Sequence, residues 1–340
     1  MLRSPKVKLA ASLLLAVAIF WFLFTRVDIE GARAALVAMT WIELATISLV
    51  ALWNLVSYWV LWVAVTPGLT YPRAALLAQS GTALTNTVPG GSGIGIGLMY
   101  TMLDSWGFTR DRATLSLLVS GIWNGFIKLG LPVVALAILV IEGDMGGARI
   151  TTAIVGLALL AAAVTILVLM LRSERVADRL SALAERIAGR ALALVHRPPP
   201  RGWEAATVRF RADASGLLQG RWLWITAAAL VSHLSLWLVL LVTLRHVGVP
   251  DTVVSWAEVL SVFAFARLVT MVRFTPGGAG MVEAVLIGGL VAAGGPPGQV
   301  TAAVLVFRAL TWLLPVPLGA VTYLIWRRRG ASTPTGAEHA

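Results

Sequence analysis

Cysteine is absent from the chain, and only four histidines occur, His196, His233, His246 and His339, scattered along its length. A disulfide framework is therefore excluded, and no cluster of soft ligands is on offer to a zinc ion. Charge is scarce too: Asp, Glu, Lys and Arg make up 13% of 340 residues against 58% hydrophobic, and the mean hydropathy is +0.85. A water-soluble domain of this size cannot be covered with so little polar surface.

What the sequence has in their place is long apolar runs. Crossing roughly 30 Å of hydrocarbon takes about 20 mostly apolar residues, and the clearest stretches are Leu9 to Phe24, Trp41 to Val65, Thr151 to Leu171 and Trp222 to Leu244. Two more, Ala113 to Ile141 and Gln299 to Trp326, are interrupted by Gly130-Leu131-Pro132 and by Pro315 and Pro317, and each reads as one tilted, kinked span. The first run follows Arg3, Lys6 and Lys8, as a signal sequence would, but no small-residue cleavage pattern comes after Phe24. A retained anchor is expected. The fold class that follows is all-α, a single polytopic membrane domain over 1–340.

A formal net charge of +11 raises nucleic acid as a partner, and the positions of the charges argue against it. With the N-terminus inside, the cytoplasmic segments collect Arg3, Lys6, Lys8, Arg73, Arg110, Arg112, the arginines between Arg172 and Arg221, and Arg327 to Arg329. The outer loops hold Arg26, Arg33, Arg149 and Arg245 beside Asp28, Glu30, Glu43, Glu142, Asp144, Asp251 and Glu258. Basic residues sorted to one side orient a multi-pass protein of a cell (inner) membrane with both termini cytoplasmic.

The basic stretch 172–221 spaces Val176, Leu180, Leu183, Ile187, Ala191 and Leu194 along one helical face, with arginines between. Such a helix is expected to lie on an anionic lipid surface, with a partner-binding role as the other reading. Pro198 to Pro200 break it, and a weaker amphipathic stretch, Trp203 to Leu218, leads into the next span.

The chain also repeats itself. Ala51-Leu52, Ser57, Trp59 and Pro72 recur at constant offset as Ala229-Leu230, Ser235, Trp237 and Pro250, and Pro89-Gly90-Gly91-Ser92-Gly93 recurs as Pro276-Gly277-Gly278-Ala279-Gly280. The first Pro-Gly-Gly break divides 74–105 into arms of about 13 to 15 residues, shorter than a crossing needs, and the same hairpin reading applies to 253–293, with Pro276 and the following glycines at the tip. The expected plan is about six full spans plus two re-entrant helical hairpins arranged as inverted repeats. An anchor at 9–24 comes first, then a repeat over 41–141, a connecting span at 151–171, the linker 172–221, a second repeat over 222–326 and a tail at 327–340. Inverted repeats with broken helices at mid-depth mark alternating-access transporters. Eight or more plain spans, each arm crossing at a tilt, is the competing plan.

Four cations fall within the apolar regions: Lys128, Arg267, Arg273 and Arg308. At roughly 2.5 to 3.5 kcal/mol each at a helix centre, they are expected to face a cavity, or for Lys128 to snorkel beside its kink. Arg273 precedes Pro276 by three residues and Glu283 follows Gly280 by three, so both belong near a hairpin tip. Guanidinium groups at broken helix ends suit phosphate oxygens, and an internal salt bridge from Arg273 or Arg308 to Glu283 is the plainer alternative. The first hairpin supplies Gln79, Thr85, Asn86 and Thr87 before Pro89, either contacting a headgroup or capping the broken helix, and Asn124 is a further polar candidate. The glycine run from Gly90 to Gly97 follows no strand and lacks the Lys-Ser/Thr ending of a phosphate-binding loop. No nucleophile and base pair stands out, and His233 reads as a packed polar residue. No cofactor, metal or enzymatic step is expected.

The run Thr275-Pro276-Gly277-Gly278-Ala279-Gly280-Met281-Val282-Glu283, followed by Arg308 and Trp312-Leu313-Leu314-Pro315, resembles the flippase-like membrane family that includes the transmembrane region of lysylphosphatidylglycerol synthases. The likeness extends from about residue 8 to 326. It implies the handling of lipids with polar headgroups, such as aminoacylated phosphatidylglycerol or prenyl-linked sugars, and points to Pro276, Gly277, Gly278, Gly280, Glu283 and Arg308. Synthase members carry a further soluble domain for aminoacyl transfer, whereas this chain ends in a short polar tail, so it is not expected to be the synthase.

The expected function is thus a lipid flippase or translocase for an anionic or phosphate-bearing headgroup. Its binding residues would be Arg267, Arg273, Pro276, Gly277, Gly278, Gly280, Glu283, Arg308, Asn86, Pro89, Gly90, Gly91, Gln79, Asn124 and Lys128. The partner would be a phospholipid or prenyl-linked lipid, with self-association left open. A secondary transporter for a small anionic solute and a non-transporting scaffold for a lipid-modifying enzyme are the rival readings.

Overall fold

The computed structural model describes residues 29–87, 91–141, 203–271 and 275–330, with isolated helical positions between 158 and 186. The expected anchor over 9–24, the tail beyond 330, and Pro89, Gly90 and Arg273 lie outside the described residues, and the stretches 151–171 and 172–202 are described only at those isolated positions. Helices α1 (Ile29–Val37), α2 (Trp41–Val65), α3 (Tyr71–Thr87), α4 (Gly91–Ser105), α5 (Arg110–Ile141) and α6 (Trp203–His246) come first. Then follow α7 (Trp256–Val269), a 3₁₀ turn (Pro276–Gly278), α8 (Met281–Ala292), α9 (Pro297–Arg308), a π turn (Ala309–Leu313) and α10 (Pro315–Gly330). Among the described residues there is no strand. The chain is an all-helical, multi-pass membrane protein.

Among the described residues, four stretches are long and apolar enough to cross a membrane: α2, α5, the Asp213–His246 part of α6, and the Pro297–Arg328 run formed by α9, the π turn and α10. The interruptions expected in two of them differ in outcome. Pro132 sits inside one helix that runs unbroken from Arg110 to Ile141. Before Pro315, by contrast, the last crossing widens into the π turn, with Leu314 N donating to the Ala309 carbonyl at 2.8 Å. Proline has no N–H for the ladder and its ring crowds the preceding turn, and the wider turn relieves both.

The remaining arms are short. Helices α3, α4, α7 and α8 have 17, 15, 14 and 12 residues, so at about 1.5 Å per residue each falls short of roughly 30 Å of hydrocarbon. Both ends of the α3–α4 pair lie at one end of the long helices, where Trp326 Nε1 donates to Ser105 Oγ at 2.9 Å and α3 follows α2 after a short turn. The α7–α8 pair starts at the other end, where Asp251 accepts from Trp256 N at 2.9 Å and pairs with Arg245. Their broken tips approach each other, and α3 packs against the 3₁₀ turn.

Lipid offers no hydrophobic reward for joining apolar helices, so close approach over small residues does that work. Gly81 and Gly95 let α3 and α4 touch: a Cβ on Gly95 would stand 2.9 Å from the Gly81 carbonyl oxygen. Gly319 does the same between α10 and α3, where an added Cβ would lie 2.4 Å from the Gln79 carbonyl oxygen. Gly319→Ala is therefore expected to push those helices apart at a cost of about 1 to 3 kcal/mol, read as earlier thermal unfolding in detergent. Gly97→Ala, where an added Cβ meets nothing within 4 Å, should leave unfolding unchanged.

Two separate apolar clusters result. One gathers Leu240, Phe263, Leu286, Leu290 and Phe307 around α7, α8 and α9, and the other gathers Leu61, Leu77, Met102, Leu103 and Ile225 around α3 and α4. Helices α2, α5 and α6 run through both.

Candidate functional site

Between the two clusters lies a cavity of about 520 Å³ with a polar wall. The long helices contribute to it at their middles: Asn54 on Trp41–Val65, Asn124 and Gly125 on Arg110–Ile141, Ser232 and His233 on Asp213–His246, Trp312 on Pro297–Arg328. Half of a 25-residue helix is about 18 Å, so this layer sits farther from either end than half the hydrocarbon thickness of roughly 15 Å. A polar layer at that depth must be internally satisfied or wet.

The tip of the second broken pair is built on glycine. Gly277 has φ 57° and ψ 18°, a left-handed conformation, and Gly280, with φ 83°, caps α8. The free N–H of Gly280 is taken by Glu283, whose Oε2 accepts it at 2.8 Å. Glu283 Oε1 accepts from Arg308 Nε at 2.6 Å, and Arg308 Nη2 donates to the Gly277 carbonyl at 3.4 Å. The two side chains are 7% and 11% exposed, so the pair is a buried one. Four residues on, the Trp312 ring lies 5.2 Å from the Arg308 guanidinium carbon.

The first tip meets this assembly directly. Asn86 Nδ2 donates at 3.0 Å to the Trp312 carbonyl, in the π turn where the helix ladder is disrupted. A Cβ on Gly277 would stand 2.2 Å from Trp312 Nε1 and 2.9 Å from Asn86 Oδ1, so three segments converge on one hydrogen atom's worth of room. At the same depth α2 and α6 are joined by hydroxyl and amide groups. Ser57 Oγ and Ser235 Oγ are 3.0 Å apart, and Asn54 Nδ2 donates to the Ser232 carbonyl and to Ser235 Oγ, each at 2.9 Å.

Of the residues singled out in the sequence, Gln79, Thr85, Asn86, Asn124, Lys128, Arg267, Gly277, Gly278 and Arg308 line the cavity. Lys128 thus faces the interior layer. Glu283 and Gly280 stand behind the wall, fixing Arg308 and the turn; Pro276 opens that turn and Gly91 opens α4. The expected bridge to Glu283 comes from Arg308.

Sequence reasoning passed over several wall residues: Asn54, Tyr58, Ser232, His233, Thr270, Thr311 and Trp312. Their signal was available in part. Asn54 with Ser57 and Ser232 with Ser235 are polar pairs in the middle of apolar runs, separated by the same 178 residues that relate the two repeats. Trp312 lies one helical turn beyond Arg308. His233 is 3% exposed, its Nδ1 lies 3.0 Å from the Ala229 carbonyl, and its Nε2 has no partner. Gln79 Oε1 and Trp312 Nε1 are likewise buried without one.

No curated protein matches the chain. The family model described as the lysylphosphatidylglycerol synthase TM region matches residues 9–319, which takes in every element of the cavity wall. Its reach over both broken pairs and all four long helices shows that the chain belongs to the lysylphosphatidylglycerol synthase TM-region family.

Proposed function

We propose that the protein moves lipids with an anionic, phosphate-bearing headgroup across a cell (inner) membrane, lodging the headgroup in the central cavity while the acyl chains stay in the bilayer. The observation that carries this is that Lys128, Arg267 and Arg308 all line one cavity at the depth of the middles of the long helices. Cations at such depth cost several kcal/mol unless a wet pocket or an anion receives them. The Arg308 guanidinium, held by Glu283 and stacked near Trp312, is oriented in advance for phosphate oxygens. A membrane protein of a family named for lipid handling is consistent with this substrate class.

The cavity wall favours a lipid over a free solute. Ile96 and Met271 line it and are also 52% and 44% exposed, and Gly121, a further lining residue, is exposed as well. At mid-depth the surroundings of an exposed residue are acyl chains, so the pocket communicates sideways with lipid. In this reading the α3–α4 and α7–α8 pairs are re-entrant hairpins entering from opposite faces, and the two halves are inverted repeats that alternate access. Contact between Ser57 and its repeat mate Ser235 supports a pseudo-two-fold axis there. Arg73, Arg110, Arg112, Arg221, Arg327 and Arg328 all fall at the end holding the mouth of the first hairpin, which supports a cytoplasmic assignment for that end. Transport then proceeds without covalent change to the lipid.

Filling the cavity tests this. Gly125 lines it, and a Cβ there meets nothing within 4 Å. Gly125→Leu puts bulk into the pocket while replacing a poor helix former with a good one, worth up to about 1 kcal/mol toward stability. In vesicles carrying acyl-labelled fluorescent phospholipid, dithionite quenching should fall to the rate of protein-free vesicles, with thermal unfolding unchanged or later. Wild-type quenching rates in the folded variant would remove the assignment of the cavity as the lipid path.

A further inference from the structure

The cavity has a second chemical character, distinct from its cations. Gln79 Oε1 is an acceptor with no donor, on a side chain only 3% exposed. His233 is buried equally deeply, and its Nδ1 faces a carbonyl, which can only accept; the ring proton therefore sits on Nδ1 and donates to Ala229. In the neutral ring this leaves Nε2 as a bare lone pair, again without a partner. Leaving a buried acceptor unsatisfied costs about 1 to 3 kcal/mol, and native proteins retain such groups where something else supplies the missing half. Both line the same cavity as Arg308 and Trp312.

Charge restricts what that something is. The described wall holds Lys128, Arg267 and Arg308 and no carboxylate. Glu283, behind it, already has one oxygen on Arg308 Nε and the other on Gly280 N. An ammonium group entering here meets like charge and finds no counter-ion. A hydroxyl supplies, through its O–H, the donor that the bare acceptors lack while adding no positive charge.

Resting on the transport reading above, we infer that the substrate is a net anionic phosphodiester lipid whose headgroup carries free hydroxyls, a polyol or sugar, and not an aminated headgroup. Its phosphate takes Arg308, and its hydroxyls donate to Gln79 Oε1 and His233 Nε2.

The test compares three acyl-labelled lipids in vesicles containing the full chain: phosphatidylglycerol, phosphatidylmethanol, which has the same charge and no hydroxyl, and phosphatidylethanolamine. Phosphatidylglycerol should move about tenfold faster than phosphatidylmethanol, the equivalent of one satisfied buried acceptor, and phosphatidylethanolamine more slowly than either. Gln79→Met, similar in volume but unable to accept, should bring the glycerol-to-methanol ratio toward one, a readout that does not depend on how much protein folds. Equal rates for the two anionic lipids, both above protein-free vesicles, would overturn the hydroxyl inference and leave lipid transport standing. A fastest rate for phosphatidylethanolamine, or a ratio unmoved by Gln79→Met, would overturn it too. If no lipid moved faster than in protein-free vesicles, the transport reading itself would fall.

Discussion

Glu283→Ala is expected to destabilise the protein by on the order of 3 to 5 kcal/mol, the range for breaking a buried ion pair on one side. Two losses combine. Gly280 N, the buried N-cap donor of α8, loses its acceptor, and the Arg308 guanidinium, 11% exposed, is left without its counter-charge deep among helices. Removing both partners should hurt less than the sum of the single changes, because no orphan charge then remains. A thermal or denaturant unfolding series in detergent on Glu283→Ala, Arg308→Ala and the double variant reads this directly, and Glu283→Gln, which can still cap Gly280, should fall between. Unfolding of Glu283→Ala within a few tenths of a kcal/mol of the parent would show that the pair is solvated. Lipid movement by Arg308→Ala should be lost even where the variant folds, since phosphate loses its oriented fork.

Gly277→Ala is expected to be nearly as damaging, for reasons of shape. A left-handed backbone costs a Cβ-bearing residue about 1 to 2 kcal/mol, and here the added carbon would stand 2.2 Å from Trp312 Nε1 and 2.9 Å from Asn86 Oδ1. Overpacking adds roughly 1 to 3 kcal/mol. Relief requires the two tips to part, which breaks the Asn86 bond to the Trp312 carbonyl and shifts Arg308 off its turn. Both an earlier unfolding transition and lost dithionite quenching are expected. Gly97→Ala, off the cavity wall and with nothing within 4 Å of an added Cβ, is the control for glycine replacement as such, and equal behaviour of the two variants would show that the tips are not in contact.

The chemistry of the second tip was legible because it is local. Pro276, the glycines, Glu283 at the third helical position and Arg308 one helix later announce a break, a cap and a charge that needs a partner, and the fold joins them within 3 Å where the side chains meet. The membrane character and helical class were equally plain, since hydropathy is a property of single segments. What depends on distant segments was not legible. That the side chain of Asn86 reaches a carbonyl 226 residues away follows from how α3 and α10 pack, which no spacing encodes. The π turn at Ala309–Leu313 was readable only as a proline-induced irregularity, and a similar proline at 132 leaves α5 continuous. His233 looked like a packed polar residue for want of a partner motif; its place on the cavity wall depends on where α6 sits against α5 and α7.

The hydroxyl contact at the middle of α2 and α6 has one further consequence. Ser57 and Ser235 are identical groups facing each other, and either oxygen can be the donor. The seam around them is nevertheless polar, because Asn54 Nδ2 donates across it to the Ser232 carbonyl and to Ser235 Oγ, while Ser232, at the position matching Asn54, has no side-chain amide with which to return the bond. Under the transport proposal, a bias in the direction of travel would draw on this one-sided amide as well as on the charge of the second tip, where Arg308 and Glu283 have no counterpart at the matching positions of the first repeat.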